Sequence, residues 1–406
     1  MLDLDSAARA IGAGRRGANV SFDGVATDSR QVRHGDLFVA LRGARFDAHA
    51  FVDEALAAGA SSAMVEDVDR VHTPHASLLL VDDTLAGLGQ LASHWRSRFQ
   101  IPVVGVTGSN GKTTVKEMIA SILRLHAGEE AVLATCGNLN NAIGVPLMLL
   151  RLRGVHRFAV IEMGMNHLGE IAYLARMTRP TVALITNAGV AHIGEVGSRE
   201  AIAQAKGEIF EGLGKGIAVI NADDRYASYW RGLNRGRRVI DFGFGEEATV
   251  HGRLHDGAMS VRTPNAHYDV TVPTLGEHNL RNALAACAVA YALEIASPAV
   301  VAGLARFENA KGRLQRLPGK NGSTLIDDTY NANPDSTKAA AKALSECHGT
   351  RIFVLGDMGE LGEAASALHA EVGAALREAG IDWLFTLGTW TASAATAFGS
   401  GASHFT

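Results

Sequence analysis

The segment VVGVTGSNGKTT, residues 103–114, combines the residue types that bind phosphate. Its branched apolar residues predict a strand that runs into a glycine turn, after which a Lys-Thr-Thr run begins a helix. Backbone N–H groups in such a turn and at a helix N-terminus favour an anion. Gly108 and Gly111 carry no Cβ and let the chain approach phosphate oxygens closely. The predicted chemistry is nucleotide binding, with Lys112 on the β- and γ-phosphates and the Thr113 hydroxyl on Mg²⁺.

This loop departs from the common G-x-x-x-x-G-K-[ST] pattern, because the first glycine of that pattern would fall on Val106. A glycine turn that only closes a βα unit is the alternative interpretation. The strand, the lysine and the two threonines together argue against that alternative. The residues predicted to contact the nucleotide in this loop are Thr107, Gly108, Ser109, Asn110, Gly111, Lys112, Thr113 and Thr114.

An acid and a histidine follow two later predicted strands. Glu162 ends the run FAVIE, and His192 follows TVALITNAGVAH. Ligands of open α/β sheets bind at the carboxyl ends of the strands, so we expect both side chains near the Lys112 loop as Mg²⁺ ligands. Since histidine is an unusual Mg²⁺ ligand, His192 could also act through water or be an ordinary structural residue. Lys206, in AIAQAKGEIF, has the pattern of a solvated helix lysine.

Two further motifs could reach the nucleotide. HNLRNALAA begins an alanine-rich helix at residue 278, and its Asn279 and Asn282 could recognise an adenine edge or simply cap the helix. Arg313, in KGRLQ, could reach a γ-phosphate when domains close, because a planar guanidinium suits phosphate. An ordinary linker arginine explains Arg313 equally well.

Two loops near the C-terminus follow predicted strands. LIDDTYNANPDS, residues 325–336, contributes Asp328, Asn331 and Asn333, and LGDMGELG contributes Asp357. Strand-end acids followed by an Asn/Pro loop and a helix cap are typical of a site loop. Capping and turn chemistry can account for half of the same residues.

Two polar loops nearer the N-terminus could bind another ligand. Ser29 and Arg30, in ATDSRQVRHGDLFVALRG, offer a hydroxyl and a guanidinium to a phosphate or a uracil. Asn140 and Asn141, in TCGNLNNAIGVP, could bind a polar ligand or form a long turn. Such loops are common, so each is a weak signal alone.

The predicted elements place these residues in three α/β units. From residue 103, strands and helices alternate at spacings suited to right-handed βαβ units of a parallel sheet. Residues 246–273 predict a small antiparallel insert. A small mixed unit precedes the break near Pro102, and a third unit begins near residue 313 with the predicted strands STLIDDTY, RIFVLGD and DWLFTLG.

Composition narrows the class of protein. The 406 residues are 47% hydrophobic and 20% charged, which is typical of a globular chain. The net charge of −4 lacks the basic excess of a nucleic-acid-binding protein, and no apolar run is long enough to span a bilayer. The N-terminus lacks the features of a secretory signal, and three widely spaced cysteines predict neither a disulfide framework nor a zinc cluster.

Taken together, TDSR, TGSNGKTT, DDTYNANPDS and LGDMGELG resemble motifs of the Mur ligase family of ATP-dependent amide-forming enzymes. The resemblance covers the whole chain, and TGSNGKTT is similar to the shortened phosphate loop of that family. It implies a UDP-binding N-terminal domain at 1–100, a central P-loop-type ATPase at 101–312 and a Rossmann-like C-terminal domain at 313–406. Family members normally continue some tens of residues further, so the third sheet is expected to be incomplete.

The two C-terminal loops are most similar to those of the member that adds D-alanyl-D-alanine to UDP-N-acetylmuramoyl-tripeptide. The D-N-P-R motif associated with the diaminopimelate-adding relative is absent. The resemblance therefore implies a ligase that uses ATP and two Mg²⁺ ions, acts through an acyl phosphate, and works as a cytoplasmic monomer on those two substrates. Nucleic acid and membrane insertion are not expected.

The resemblance also assigns roles to residues. It implies that Lys206 reacts with CO₂ to give a carbamate that supports the second Mg²⁺, which reverses the interpretation of Lys206 as a surface lysine. The implied catalytic residues are Lys112, His192, Lys206 and Arg313. The implied metal ligands are Thr113, Glu162, His192 and Lys206. Further nucleotide contacts are expected from Asn279, Asn282, Arg313, Asp328 and Asn331, and substrate contacts from Ser29, Arg30, Asn140, Asn141, Asn331, Asn333 and Asp357.

Three alternatives remain open on the sequence. Another amide ligase of the same ATPase family, of the folate-polyglutamate type, would lack the uridine-nucleotide-binding block at the start of the chain. A P-loop regulatory protein would carry a guanine-reading N-K-x-D motif, which is absent. A binding module that has lost catalysis would release no phosphate from ATP.

Overall fold

The computed structural model describes residues 1–43, 46–189, 197–255 and 258–406. Three α/β regions follow one another along the chain, which confirms the predicted fold class. Within the described ranges, no helix is both long and apolar enough to cross a membrane.

The first region contains a five-stranded sheet. Four of its strands run parallel, in the order 24–26, 36–39, 62–65 and 78–80, and residues 14–16 add an antiparallel edge. Leu2–Asp3 and Ser21–Phe22 pair with each other in a separate two-stranded sheet. The strands of the five-stranded sheet are Gly14–Arg16, Gly24–Ala26, Asp36–Val39, Ser62–Val65 and Leu78–Leu80, and the helices of the region are Leu4–Ile11, Val52–Ala57 and Thr84–Ser97.

The central region is built on a nine-stranded sheet. The strands VVGVT, FAVIE and VALI are buried along their whole length, as expected for parallel strands that are covered on both faces. The strands are Val103–Thr107, Val132–Ala134, Phe158–Glu162, Val182–Ile185, Ile217–Asn221, Val239–Gly243, Val250–His255, Ala258–Thr263 and Ala266–Val270. The helices are Lys112–Ala127, Gly144–Leu149, Glu170–Thr178, Arg199–Gly207, Ala227–Leu233, Glu277–Ala292 and Ser297–Ala305.

The strand order puts the phosphate-loop strand inside the sheet. Val103–Thr107 lies between Phe158–Glu162 and Val182–Ile185, and is parallel to both. The three carboxyl ends therefore share one edge of the sheet. The segment predicted as a small antiparallel insert forms three antiparallel strands, Val250–His255, Ala258–Thr263 and Ala266–Val270. The first of them also pairs in parallel with Val239–Gly243, so the insert extends the central sheet.

The third region has one strand arrangement that differs from the prediction. Thr324–Asp327, the strand of STLIDDTY, pairs antiparallel with Gln315–Pro318 and does not join the parallel sheet. That sheet has three parallel strands, with Trp383–Leu387 in the centre between Ile352–Gly356 and Ala402–Phe405. The helices of this region are Pro334–Ser345, Ala365–Glu378 and Thr391–Phe398.

The hydrophobic cores do not follow the three regions one for one. One core contains buried side chains from both the first and the central region, such as Leu88, Leu91, Met148 and Leu149. A second lies on the other face of the central sheet. The third region has a core of its own, which includes Leu355, Val372 and Leu384. The domain boundaries at residues 100 and 312 stay predictions.

Candidate active site

The glycine turn after Val103–Thr107 has the shape that the sequence predicts. Gly108 and Gly111 have φ angles of +147° and +80°, which L-residues with a side chain rarely adopt. A Cβ atom on Gly108 would lie 1.9 Å from the Thr186 hydroxyl, and one on Gly111 would lie 2.4 Å from Asn282 Oδ1. Both positions therefore require glycine, and the loop leads directly into the helix Lys112–Ala127.

The neighbouring strand end holds the loop in place. The backbone N–H of Ser109 donates to the Asn187 carbonyl at 2.9 Å, and that of Asn110 donates to Asn187 Oδ1 at 3.0 Å. The Thr186 hydroxyl donates to the Asn110 carbonyl at 2.7 Å. Sequence reasoning missed Thr186 and Asn187. Their position at the end of TVALITN, next to the phosphate-loop strand, was the available signal.

Cations converge on this loop. Lys112 Nζ donates to the carbonyls of Gly108 and Ser109, at 2.8 and 3.2 Å. Burial lowers the pKa of Lys112, Glu162 opposes that shift, and the nearby charge of Arg313 adds to it. Positive charge is thus concentrated at the turn, as a phosphate site requires.

Arg313 approaches the loop from the start of the third region. Its guanidinium carbon lies 4.2 Å from the centroid of the Tyr330 ring, in the geometry of a cation–π contact. Its buried Nε has no hydrogen-bond partner among the described residues. Tyr330 was within a motif that the sequence singled out, but stacking between side chains of separate segments has no sequence signature.

One small cavity gathers residues from the central and third regions. Asn333 Nδ2 donates to Asn110 Oδ1 at 2.8 Å across it, and Asn333 also caps the helix Pro334–Ser345. Asn331 Oδ1 accepts from the following backbone N–H. The lining residues are Ser109, Asn110, Gly111, Lys112, Thr113, Thr114, Arg313, Asn331, Asn333 and Ser336, of which only Ser336 was not predicted.

Glu162 lies at the carboxyl end of its strand, beside the loop. The side chain of this residue is almost fully buried and accepts from the Thr113 hydroxyl at 3.0 Å and from Asn140 Nδ2 at 2.8 Å. Its backbone N–H donates to the Thr135 hydroxyl at 2.9 Å. Hydroxyl, carboxylate and phosphate oxygens are the ligands that Mg²⁺ prefers, so this donor set suits that ion. Among the described residues, no cluster of three or more His, Cys, Asp or Glu side chains forms a metal cage.

Lys206 is buried, against the first interpretation from sequence. The residue is 0% exposed, and its Nζ has no hydrogen-bond partner within the described ranges. Burial, followed by the charge of Lys112, lowers the pKa of Lys206 well below its ordinary value. His192 lies outside the described residues.

Asn279 and Asn282 lie behind the phosphate loop. Both are buried, and Asn282 Nδ2 donates to Asn279 Oδ1 at 3.0 Å. Asp328 directly follows the strand Thr324–Asp327, and its Oδ1 accepts from the Leu314 N–H at 3.1 Å. Burial raises the pKa of Asp328 to about 6. Thr107 sits at the strand end, where its hydroxyl donates to the Met163 carbonyl at 2.8 Å.

Five predicted substrate residues do not line this cavity: Ser29, Arg30, Asn140, Asn141 and Asp357. Ser29 donates to Glu54 on the first region, and the exposed Arg30 pairs with Asp28. Asn141 Oδ1 accepts from the backbone N–H groups of residues 143 and 144, where the helix Gly144–Leu149 begins.

Asp357 accepts three backbone N–H groups of residues 389–391, at 2.8 to 2.9 Å. Burial acts to raise its pKa, but these hydrogen bonds outweigh burial and lower it. In this structure Asp357 therefore holds a loop.

Family models match nearly all of the chain. Residues 21–96 match the model described as Mur ligase family, catalytic domain, residues 106–290 the Mur ligase middle domain, and residues 312–403 the Mur ligase, glutamate ligase domain. The chain is 42% identical over 397 residues to the UDP-N-acetylmuramoyl-tripeptide–D-alanyl-D-alanine ligase of Escherichia coli, covering 96% of this chain and 86% of that protein.

Solved structures agree with the sequence relatives. A crystal structure of MurF from Acinetobacter baumannii superposes with a TM-score of 0.90 at 38% identity, covering 99% of this chain and 88% of that one. MurF ligase from Thermotoga maritima, solved in complex with ADP, superposes with a TM-score of 0.82 at 30% identity, covering 94% and 87%. The chain belongs to the Mur ligase family.

Proposed function

We propose that this chain joins D-alanyl-D-alanine to UDP-N-acetylmuramoyl-tripeptide with ATP, in the synthesis of a peptidoglycan precursor. The observation that carries the proposal is the convergence of Lys112 and Arg313 on one glycine loop at the junction of two regions. Similarity over 96% of the chain to a ligase named for this reaction supports the substrates.

The first step activates the peptide. The terminal carboxylate of the UDP-linked peptide attacks the γ-phosphorus of ATP. The bond between the γ-phosphorus and the oxygen that bridges it to the β-phosphate breaks. ADP departs, and the peptide carries an acyl phosphate. The phosphates carry the negative charge of this transfer, and Lys112 and Arg313 offset it from two sides. Backbone N–H groups of the loop and of the helix beginning at Lys112 add to that stabilisation.

The second step forms the amide bond. The free amine of D-alanyl-D-alanine attacks the acyl carbon, and phosphate leaves from the tetrahedral intermediate while the nitrogen loses a proton. An acyl phosphate hydrolyses if water reaches it, so the chain must exclude water from the site. The hydrogen bond between Asn333 and Asn110, which joins the third region to the phosphate loop at the cavity, fits that requirement.

Mg²⁺ fits the oxygen donors next to the loop. Thr113 and Glu162 would hold it, together with phosphate oxygens, and His192 is proposed as a ligand of a second ion. When bound, the ion neutralises charge on the β- and γ-phosphates. Asn140 keeps the Glu162 carboxylate in one orientation by donating to its other oxygen.

Lys206 is proposed to form a carbamate. A neutral amine adds to CO₂ and releases one proton, and the resulting anion could face a second Mg²⁺. The resemblance suggested this reaction. The burial of the side chain and the absence of a described partner for its Nζ are consistent with it.

The remaining contacts are assigned by region. Ser29 and Arg30 are proposed for the UDP end of the substrate, and Asn140, Asn141, Asn331, Asn333 and Asp357 for the peptide and the dipeptide. Asn279, Asn282, Asp328 and Asn331 are proposed for the adenosine of ATP. The three domains at 1–100, 101–312 and 313–406 would then bind UDP, bind ATP and complete the ligase site. We further propose a monomer that acts in the cytoplasm, where its nucleotide substrates are.

A phosphate-release assay tests the function. With ATP, UDP-linked tripeptide and D-alanyl-D-alanine together, we expect phosphate and the amide product in equal amounts. Lys112→Ala should lower turnover by at least on the order of 10²–10³-fold, while the exposed Lys215→Ala serves as the matched control. The proposal would be contradicted if phosphate were released when either the UDP-linked tripeptide or D-alanyl-D-alanine is left out. It would also be contradicted if a folate and glutamate replaced them with full activity.

A further inference from the structure

Leu314 has an unusual backbone conformation next to Arg313. Its φ angle is +51°, in the left-handed region that residues with a branched side chain rarely adopt. Its side chain is buried, with 6% exposed. Such a conformation persists only where surrounding contacts fix it. Since Leu314 directly follows Arg313, contacts that fix the Leu314 backbone also restrain the backbone of Arg313.

Two side chains fix the backbone of Leu314, one from each side of the junction. Asn309 Nδ2 donates to the Leu314 carbonyl at 3.1 Å, and Asp328 Oδ1 accepts from the Leu314 N–H at 3.1 Å. Asn309 belongs to the segment after the last central helix, and Asp328 follows a strand of the third region. Both polar groups of this peptide backbone are therefore satisfied by side chains.

The same asparagine is linked to the phosphate loop. Asn309 Nδ2 also donates to the Thr274 hydroxyl oxygen at 3.1 Å, and Asn279 Nδ2 donates to that oxygen at 3.0 Å. Asn282 donates in turn to Asn279 Oδ1, and its own Oδ1 faces Gly111. Hydrogen bonds thus run from Leu314 through Asn309, Thr274 and Asn279 to Asn282, which lies next to Gly111 of the phosphate loop.

We propose that Thr274 and Asn309 are positioning residues for Arg313. Neither lines the small phosphate cavity. They act through Leu314, keeping the Arg313 guanidinium in register with the phosphate loop. The proposal rests on the proposed function, because it assigns Arg313 to ATP.

The roles of Thr274 and Asn309 can be tested with substitutions that keep the size and shape of each side chain. Thr274, Asn309 and Leu314 line a cavity of about 700 Å³ at the junction, so small changes there need not disturb a packed core. Thr274→Val removes the shared acceptor and keeps the volume, and Thr274→Ser keeps the hydroxyl. Asn309→Asp keeps the shape and removes the donor. Glu308→Gln, an exposed neighbour that lines the same cavity, is the matched control.

Each variant is assayed for kcat, for KM and for its thermal unfolding midpoint. Misplacement of a charged group by about 1 Å costs up to ~10²-fold in rate, so we expect Thr274→Val and Asn309→Asp to lower kcat by about 10- to 100-fold. Thr274→Ser and Glu308→Gln should stay within about twofold of the parent chain, because both keep the polar contacts. If Thr274→Val unfolds, Asn309→Asp carries the test.

The decisive measurement repeats Thr274→Val and Asn309→Asp in an Arg313→Ala background. Residues that act through one group are non-additive, so either change should then lower kcat by less than about twofold. Undiminished kcat in both single variants, or the same fold loss with and without Arg313, would overturn the proposal. Loss of ligation in the parent chain itself would instead contradict the proposed function, and an unchanged kcat in Arg313→Ala would contradict the role given to that arginine.

Discussion

The central region contacts the first region at one junction and the third region at a second junction, and the two junctions differ in the chemical character of their contacts. Towards the first region, apolar side chains of both regions share one core. Trp95 is 7% exposed and its indole N–H donates to the Leu152 carbonyl at 3.1 Å. The buried Arg96 donates to the carbonyls of Thr178 and Arg179. This junction cannot open without exposing a core to water.

Towards the third region the contacts are polar. Asn333 donates a hydrogen bond to Asn110, and Lys342 Nζ lies 2.7 Å from Glu277 Oε2. The third region keeps a separate hydrophobic core. Polar groups that leave each other exchange one hydrogen-bond partner for water, which costs little. From this difference we predict that the first region stays fixed to the central region, whereas the third region moves and completes the site when substrates bind.

Trp95→Ala should have the largest effect on stability. Removing a buried tryptophan from a core leaves a cavity and costs about 3–5 kcal/mol of unfolding free energy. Because the first and central regions share that core, chemical denaturation should show both unfolding at lower denaturant. The control is Trp383→Ala, where the side chain is 50% exposed, and the change should be within about 0.5 kcal/mol. Equal losses in the two variants would contradict a shared core at the first junction.

The free energy of unfolding should depend on pH through His278, which lies next to Glu277 at the second junction. Burial, with the charge of Arg281, lowers the pKa of His278 to about 4; Glu277 opposes the shift and Lys342 adds to it. The folded chain binds this proton less readily than the unfolded chain, so stability rises with pH between about 4 and 6.5 and is lost as pH falls. His278→Gln should flatten that rise in unfolding free energy. An unchanged pH slope in the variant would show that His278 is not its source.

Lys342→Ala should have the smallest effect. Its ion pair with Glu277 is largely exposed, and such pairs contribute less than about 1 kcal/mol. We expect an unfolding midpoint close to that of the parent chain at physiological salt. A loss comparable with that of Trp95→Ala would contradict the view that the second junction is held weakly.

The phosphate loop could be predicted from sequence because its determinants are local. Gly108, Gly111 and Lys112 lie within a few residues, and strand, turn and helix each carry their own signal. The fold class followed from the alternation of strands and helices. For Arg313 the sequence left a γ-phosphate contact and an ordinary linker arginine equally open, and the family resemblance favoured the first.

Other roles depend on partners far away in the chain. Asp357 has the sequence signal of a site residue, but its carboxylate accepts backbone N–H groups of a loop more than 30 residues later. Lys206 has the signal of a surface lysine, but tertiary packing buries its helix face. The strand Thr324–Asp327 pairs with Gln315–Pro318, because a nearby antiparallel partner was available that apolar periodicity did not mark. Local chemistry cannot tell these alternatives apart.

The central claim is that the third region closes the nucleotide site across a movable polar junction. Spin-label distances test it directly, with labels on exposed residues 69, 215 and 378 of a chain whose native cysteines are replaced. We predict that the distance from 69 to 215 is the same without ligands and with an ATP analogue plus both substrates. The distance from 215 to 378 should shift and narrow on binding. Identical distributions for the second pair at saturation, or a shift confined to the first pair, would contradict the account.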